Sequence, residues 1–319
     1  MDGWTMLKFT KHHKSVLMNY IRKEILISIL IIFISVNATC QNKKSSVAES
    51  DIKVEKRNKK KKVKLPQIDL SHWKVTIPEG EVKGGAISVA PPEIMDYATN
   101  ETLKPYMYND STKGALVFYA YPTAATTANT KYSRSELREQ MTSGDDTINW
   151  TFSEGGTLKA KLAMDEVSRG KDGKYHKVIV LQIHGRLTNE QRDLIGQKDN
   201  NAPPILKVYW QNGKIRVKTK ILKFSGTNAK GILHEEAWGD DKGRYFKEEV
   251  GFRKFSIEVK VSAGKIVVSL NKSEYFVYEN ASIKRWGVFE NYFKAGNYFQ
   301  SRDEGAFAKV NFYELEITH

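Results

Sequence analysis

The chain has 319 residues, 40% of them hydrophobic, which is enough to bury a core in one large domain or two ordinary ones. Its net charge of +14 is uneven, because residues 1–65 carry 15 Lys and Arg against 5 Asp and Glu, leaving 36 against 32 in residues 66–319. Since the basic excess lies mostly outside the segment that would fold, and no recognised binding motif occurs, we expect no nucleic-acid partner.

Residues 1–40 are predicted to be a signal peptide. A basic stretch ending in Arg22-Lys23 precedes an apolar run over residues 25–36. That run has the length of a secretory core and is shorter than the roughly 20 residues that span a bilayer. Initiation at Met18 would give a leader of more usual length. We therefore expect an exported protein, either extracellular, periplasmic or an outer-membrane lipoprotein.

Cys40 is the only cysteine, which excludes an internal disulfide and places one thiol where the leader would be cut. It resembles the acylated cysteine of bacterial lipoproteins, although Asn37 stands where leucine is usual. The alternative is an ordinary small-residue cleavage site at Val36-Asn37-Ala38. Membrane attachment through a lipidated Cys40 stays open at this point.

Residues 41–65 are rich in Lys, Ser and Glu, lack aromatic residues and contain the run Lys59-Lys60-Lys61-Lys62. Such a segment cannot bury enough apolar surface to offset the entropy of ordering it. We predict a disordered linker here and a folded domain over residues 66–319.

The folded domain is predicted to be all-β. Short runs of β-branched and aromatic residues alternate with Gly, Asn, Asp and Pro, and no helical pattern persists beyond about two turns. The predicted strands are residues 115–121, 132–139, 157–164, 177–184, 205–211, 214–222, 254–261, 265–271, 275–279, 292–300 and 306–317.

Turn and loop patterns favour a jelly-roll sandwich of two antiparallel sheets with a concave cleft. Asn212-Gly213 indicates a hairpin, because both residues tolerate the positive φ of a type I′ turn. The connections over residues 185–204 and 225–251 are longer than a hairpin needs. We expect the cleft to lie beneath them.

Polar side chains recur at alternate positions of three separate predicted strands. Arg134, Glu136 and Arg138 would share one face of the first strand. In the second, Ile179, Leu181 and Ile183 would face the core, while Val178, Val180, Gln182 and His184 would share the other face. In the third, Lys294 and Tyr298 share a face. Each pattern alone is weak evidence of a functional site, since solvated strand faces and structural histidines are common.

Together, three motifs and the opening Trp73-Lys74-Val75-Thr76-Ile77-Pro78 resemble the alginate lyases of polysaccharide lyase family 7 over residues 66–319. The motifs are Arg134-Ser135-Glu136-Leu137-Arg138, Gln182-Ile183-His184 and Tyr292-Phe293-Lys294-Ala295-Gly296-Asn297-Tyr298. They occur in the family's order. The resemblance implies a jelly roll that cleaves the 4-O-glycosidic bond of a polyuronate by β-elimination, giving unsaturated ends.

The resemblance also implies roles for individual residues. Tyr298 and His184 match the catalytic tyrosine and histidine, and Gln182 with Arg134 match the groups that bind the substrate carboxylate. The remaining matched positions would orient these groups or contact sugar: Glu136, Arg138 and Lys294. Gln300 follows where family members often have the same residue, without a firm role.

The reaction explains these residue types. Removing the C5 proton puts negative charge beside a carboxylate, which donors must neutralise in the transition state. A base then takes the proton while an acid protonates the leaving O4. We expect nearby cations to lower the pKa of Tyr298. Tyr298 would serve as base and acid on mannuronate, whereas His184 would be the base on guluronate. Ile183 resembles the variant associated with accepting guluronate.

Two other functions compete with a lyase. A carbohydrate-binding module shares the architecture but would rely on exposed aromatic residues. A glycoside hydrolase would need two carboxylates flanking the scissile bond, and no closely spaced acidic cluster lies on a strand.

No cofactor or catalytic metal is expected, because the other histidines lack ligand spacing. Structural calcium stays open. We expect a monomer that acts on alginate or a related polyuronate.

Overall fold

The computed structural model describes residues 65–82 and 85–319. The predicted signal peptide, Cys40 and residues 41–64 of the predicted linker lie outside the described residues. Within this part of the chain, no helix is both long and apolar enough to cross a bilayer.

The predicted all-β architecture is confirmed, and the strands form two sheets. The eight-stranded sheet contains β1 (Gln67–Ile68), β4 (Met107–Asp110), β5 (Ala115–Ala120), β8 (Gly156–Val167), β14 (Phe255–Ser262), β15 (Lys265–Leu270), β16 (Glu274–Tyr278) and β18 (Ala308–Thr318). Its order is β16-β15-β14-β8-β18-β5-β4, with β1 parallel to β18.

The ten-stranded sheet carries all three sequence motifs. It contains β2 (Trp73–Glu81), β3 (Gly85–Val89), β6 (Arg134–Glu139), β7 (Trp150–Thr151), β9 (Val178–Arg186), β10 (Asn201–Gln211), β11 (Lys214–Leu222), β12 (Trp238–Asp240), β13 (Arg244–Glu249) and β17 (Glu290–Phe299). Its antiparallel order is β12-β11-β10-β9-β17-β6-β2-β3, with β13 on β11 and β7 on β17.

Every predicted strand is present, and seven further strands were not predicted. These are β1, β2, β3, β4, β7, β12 and β13. Most are two to six residues long, so they show little of the alternation on which the prediction relied. The Asn212-Gly213 hairpin is confirmed, with φ values of 48° and 82° joining β10 to β11.

Helices are short and lie in connections. The α1 helix (Asn189–Ile195) begins with a capping box, in which Thr188 and Gln191 satisfy each other's backbone N–H groups, and ends at Gly196 with φ 66°. The α2 helix (Ala281–Arg285) begins after Asn280, whose side chain accepts from two backbone N–H groups. The 3₁₀ turns span Glu93–Asp96, Gly231–Leu233, Glu235–Ala237 and Trp286–Val288.

The core lies between the two sheets and is rich in aromatic side chains. Trp73, Trp150, Trp210 and Trp286 are all fully buried there, each on or beside the ten-stranded sheet. Burying large aromatic surfaces contributes strongly to stability and fixes the spacing of the sheets. The inner face of the ten-stranded sheet is therefore held rigidly, while its other face remains available for a groove.

A bulge in β9 makes one prediction wrong. Val178 and Val180 pack in the core, whereas Ile179 lines the groove beside Gln182. Tyr209 of β10 pairs with Ile179 but its neighbour Val208 pairs with Leu181, so one extra residue interrupts the alternation. The strict period of two therefore fails N-terminal to Leu181 and holds from Gln182 to His184.

Candidate active site

Strand register brings the three motifs side by side. The β17 strand lies between β6 and β9, and Tyr298 pairs with Arg134 while Lys294 pairs with both Arg138 and Gln182. Tyr292 pairs with His184. Because paired residues in adjacent strands point to the same face, these side chains share one face of the ten-stranded sheet.

The side chains line a groove with two lobes. The first lobe has a volume of about 300 Å³ and is lined by Tyr298, Gln182 and Gln300. The second, about 370 Å³, is lined by Arg138, Lys294 and Tyr292. Arg134 and His184 line both lobes. The predicted phenol, imidazole and cations therefore meet in a single trough.

Glu136 is the buried centre of the site, with 1% of its surface exposed. Its carboxylate accepts hydrogen bonds from Arg134 Nη1 at 2.9 Å and Gln182 Nε2 at 2.6 Å, and it pairs with Lys294 Nζ at 2.6 Å. Burial opposes ionisation, but Lys294 and Arg134 outweigh it and lower the pKa of Glu136. This carboxylate stays charged and fixes three side chains of the groove.

Arg134 lines the groove and has donors without partners. Its guanidinium carbon lies 3.8 Å from the centroid of the Tyr298 ring, in a cation–π contact. Arg134 is 5% exposed, and its Nε and Nη2 have no hydrogen-bond partner among the described residues. Buried donors without partners are costly, so this pair is suited to an incoming anion.

Tyr298, the partner of Arg134 in this cation–π contact, is partly buried. Burial raises the pKa of its phenol, and the opposing charge of Arg134 only partly offsets this. The prediction that nearby cations would lower the pKa of Tyr298 is therefore wrong. At neutral pH the phenol carries its proton.

His184 is held as a neutral ring. Its ring stacks on Tyr292 with centroids 5.2 Å apart, and its Nδ1 lies 3.0 Å from the Gly185 carbonyl oxygen. Since a carbonyl only accepts, Nδ1 carries the proton and Nε2 keeps a lone pair. Burial and the charge of Lys294 lower the pKa of His184 to about 3.

The second lobe is braced by Arg138. Its guanidinium carbon lies 4.1 Å from the Tyr292 ring centroid, and its Nη2 donates to Asn149 Oδ1 at 2.8 Å. Lys294 lies beside it, and burial lowers the pKa of Lys294 to about 8 despite its contact with Glu136. Gln300, at the edge of the first lobe, donates through Nε2 to the Tyr298 carbonyl oxygen at 3.3 Å.

Sequence reasoning missed part of the groove. Lys207 of β10 and Lys220 of β11 line the first lobe, and Tyr292 supports both His184 and Arg138. The alternation of Lys with apolar residues along β11 was visible in the sequence. It resembles any solvated strand face until the pairing with β10 and β9 is known.

Comparisons with known proteins agree with the three sequence motifs. A sequence model of a family described as alginate lyase matches residues 68–319. The chain belongs to this alginate lyase family. A curated alginate lyase from Klebsiella pneumoniae is 26% identical, covering 79% of this chain and 90% of that relative.

Solved structures agree in fold. Alginate lyase A1-II′, a member of polysaccharide lyase family 7, is 29% identical with a TM-score of 0.61, covering 78% of this chain and 95% of the other. A variant of that enzyme, with one histidine changed to asparagine and one tyrosine to phenylalanine, was crystallised with substrate (GGMG); it is 28% identical, with a TM-score of 0.61, covering 79% of this chain and 94% of the other. The family 7 resemblance and the jelly-roll fold are thereby confirmed.

Proposed function

We propose that the groove cleaves alginate by β-elimination, with Arg134 and Gln182 binding the carboxylate of the reacting uronate and with His184 and Tyr298 moving the protons. The observation that carries the proposal is the pair of unpartnered N–H groups on buried Arg134, stacked directly on the Tyr298 ring. Membership of the alginate lyase family supports the reaction class.

Carboxylate neutralisation is the first requirement. Loss of the C5 proton develops negative charge next to the substrate carboxylate, and preorganised donors stabilise that charge without reorganising. Arg134 is preorganised because Glu136 fixes its Nη1 and the Tyr298 ring supports its plane. Glu136 itself is saturated with donors and 1% exposed, so its role is to position them.

The protonation states of His184 and Tyr298 fit a mechanism in which one side chain is the base and the other is the acid. His184 Nε2 has a free lone pair and accepts the C5 proton. The C5–H electrons form the C4–C5 double bond, the C4–O4 bond breaks, and O4 takes the proton of the Tyr298 phenol. Solvent then returns the proton from His184 to Tyr298. This division suits guluronate, whereas elimination from mannuronate through Tyr298 alone requires a phenolate.

The relative crystallised with substrate supports this pair of residues. In that protein one histidine and one tyrosine were both replaced. In our chain the matched motifs place one histidine and one tyrosine in the first lobe.

Product chemistry tests the function directly. We expect incubation with alginate to give ultraviolet absorbance from a conjugated C4–C5 double bond and oligosaccharides with unsaturated ends. Saturated ends would instead indicate hydrolysis, and retained binding without any cleavage would indicate a binding module. Either result would overturn the proposal.

Block-defined alginates test the division of roles. If His184 and Tyr298 act as base and acid, initial rates on polyguluronate will exceed those on polymannuronate. A faster rate on polymannuronate would contradict the assignment of His184 as base.

We also propose that the protein is exported and acts as a monomer, with a lipid on Cys40 as the alternative to simple secretion. The support for export is the leader-like composition of residues 1–40. Mass spectrometry of the mature N-terminus distinguishes an acylated Cys40 from a free end, and light scattering of the purified protein gives the mass in solution. An uncleaved leader or a dimeric mass would overturn the corresponding part.

A further inference from the structure

A histidine outside the groove contacts the strands that carry the motifs. His319 directly follows β18 of the eight-stranded sheet. Its Nε2 lies 2.6 Å from Glu139 Oε1 on β6, and its Nδ1 lies 2.9 Å from the Gly155 carbonyl oxygen. The ring packs beside Trp150 and Phe293, with centroids 5.5 and 6.1 Å away, respectively. His319 therefore connects one sheet to the other.

Glu139 is a second buried carboxylate, which the proposed mechanism does not use. It is 1% exposed, and its Oε2 accepts hydrogen bonds from Trp150 Nε1 at 2.9 Å and from the Phe293 backbone N–H at 2.7 Å. A buried carboxylate needs a countercharge to remain ionised. Among the described residues, His319 is the one side chain that forms an ion pair with Glu139. His319 is therefore placed to supply that countercharge.

The two contacts of the His319 ring require two protons. A carbonyl oxygen only accepts a hydrogen bond, and so does an ionised carboxylate. With both nitrogens facing acceptors, the ring is an imidazolium, unlike the ring of His184. Burial opposes this charge, but the hydrogen bond to Glu139 and the charge of that carboxylate outweigh burial and raise the pKa of His319.

The other charged groups near His319 favour the same protonation state. The charge of Glu154, between β7 and β8, also raises the pKa of His319. A cavity of about 500 Å³ beside the ring is lined by Asp69, His72 and Glu316. The strands β7 and β17 present uncharged aromatic rings to it. The surroundings of His319 are therefore mainly acidic.

The Glu139 carboxylate fixes the end of the β6–β17 ladder. Arg138 and Lys294 are the last pair of that ladder. Beyond them, the Phe293 N–H donates to the Glu139 side chain instead of to a strand carbonyl. Arg138 Nη1 also donates to the Glu139 carbonyl oxygen, at 2.5 Å. A displaced Glu139 would therefore shift both cations.

We propose that His319 is a positioning residue for the groove, acting through Glu139 on Arg138 and Lys294. The inference rests on the proposed function of the groove. While the imidazolium is present, Glu139 stays in place and the second lobe keeps its shape. As the pH rises through the pKa of His319, the ring loses a proton and a lone pair faces one of the two oxygens. The two cations then shift relative to each other.

The pH dependence of KM tests this role. The variant is His319→Gln, and the control is His72→Gln, at an exposed histidine that lines the same cavity. At pH 6 we expect KM for alginate in His319→Gln to exceed the parent value about fivefold, as for other residues that act on a site without touching its ligand.

The ratio of the two KM values should approach one above the pKa of His319. Lys294 titrates in both proteins, so its effect cancels in this ratio. We expect kcat of His319→Gln to stay within about twofold of the parent value, because the second lobe would bind substrate and transition state alike. His72→Gln should match the parent in KM at every pH.

Other results would overturn the role. A KM ratio of one at pH 6 shows that His319 does not act on the groove. A raised ratio that is constant with pH, or one matched by His72→Gln, shows an effect of packing without charge. NMR titration of the parent gives the pKa of His319, and a value at or below the ordinary one of about 6.5 shows that the ring is not held as an imidazolium.

Amide chemical shifts separate this inference from the catalytic proposal. If the parent protein cleaves no alginate, the proposed function fails, and the backbone amide shifts of residues 138 and 294 still test the positioning. They are followed in Lys294→Arg, whose guanidinium stays charged throughout the titration. We expect both shifts to change at the pKa of His319. Amides that do not follow that pKa refute the proposal, even if His319→Gln fails to fold.

Discussion

Glu136 shows how a single buried charge can organise the side chains of a groove. Its carboxylate is surrounded by donors from three strands, namely Arg134 on β6, Gln182 on β9 and Lys294 on β17. Removing one partner from a buried ion pair leaves the others uncompensated, which costs far more than a surface pair would. The positions of Arg134 and Gln182, the proposed carboxylate-binding groups, therefore depend on a residue that is nearly inaccessible.

Glu136→Gln tests this dependence, because it removes the charge and nearly keeps the shape of the side chain. We expect the free energy of unfolding to fall by about 3–5 kcal/mol, because Lys294 and Arg134 lose their buried countercharge. We expect kcat/KM to fall about a hundredfold as the donors shift. Urea denaturation and steady-state assays measure both, with Glu304→Gln on an exposed loop as the control. A variant with the parent's stability and activity would contradict the role given to Glu136.

Lys294 should set the alkaline limit of substrate binding. Its pKa is lowered to about 8, so raising the pH through 8 removes a positive charge from the second lobe. We expect KM for alginate to rise above pH 8, and Lys294→Arg to move that rise to higher pH because arginine stays charged. A KM that is flat from pH 7 to 10, or a rise unchanged in the variant, would show that Lys294 does not carry the effect.

At this scale the sequence predicted which side chains meet, but not their protonation. Alternate positions placed Arg134, Glu136 and Arg138 on one face, and the pairing of β6 with β17 bears this out. The direction of the Tyr298 pKa shift was wrong because a sequence lists nearby cations without their burial. Desolvation of the phenol raises the pKa of Tyr298 by more than the charge of Arg134 lowers it. The extent of desolvation depends on how the chain packs, which the sequence does not show.

The β17 strand depends on Gly296 for its close contact with β6. Gly296 has φ 138°, a conformation that other residues rarely adopt. A Cβ at this position would lie 2.7 Å from the Ser135 carbonyl oxygen and 2.9 Å from Glu136 Cα. Both contacts involve backbone, so β17 would have to move away from the strand that carries Arg134.

Gly296→Ala should therefore damage stability and activity together. We expect a loss of about 2 kcal/mol or more in the free energy of unfolding, from backbone strain, and a lower kcat because Tyr298 is displaced. Gly226→Ala is the matched control, since a Cβ there meets nothing within 4 Å. Equal urea midpoints and kcat values for the two variants would refute the close-contact argument.

The bulge in β9 marks the limit of pattern reading at the scale of an element. Alternation correctly placed Gln182 and His184 in the groove but put Val178 and Val180 with them. All of residues 178–181 are apolar, so nothing in their order reveals which one is the extra residue. The bulge becomes visible only through the pairing of β9 with β10.

Asn297 connects the two sheets of the molecule. It lies on β17, points away from the groove and is fully buried. Its Nδ2 donates to the Ala308 carbonyl oxygen at 2.7 Å and to the Phe118 carbonyl oxygen at 3.1 Å, both in the eight-stranded sheet. The motif that supplies Tyr298 thus also fixes the ten-stranded sheet to the other layer.

Asn297→Leu should separate stability from chemistry. Losing both donated hydrogen bonds should lower the free energy of unfolding by about 1–3 kcal/mol. Because the side chain does not face the groove, we expect kcat at low temperature to stay within about threefold of the parent value. An unchanged urea midpoint would show that this connection between the sheets contributes nothing.

For the whole molecule, the sequence predicted the fold class and the three motifs but not the full extent of the groove. Recurrent strands of eight to twelve residues with their turns indicated a sandwich, and every predicted strand formed. The lysines that line the first lobe, Lys207 and Lys220, were missed because they come from two other strands, β10 and β11. Only strand pairing shows that Lys207 lies opposite Gln182.

Removal of the Tyr298 hydroxyl tests whether this phenol transfers a proton in the reaction. In the proposed mechanism, a phenol and an imidazole transfer protons beside buried cations that bind the uronate carboxylate. In Tyr298→Phe we expect kcat on alginate to fall about a thousandfold while the Kd for alginate stays within about threefold. Tyr275→Phe, at an exposed position of β16, should match the parent in both. A Tyr298→Phe variant that keeps kcat within tenfold of the parent would contradict the account.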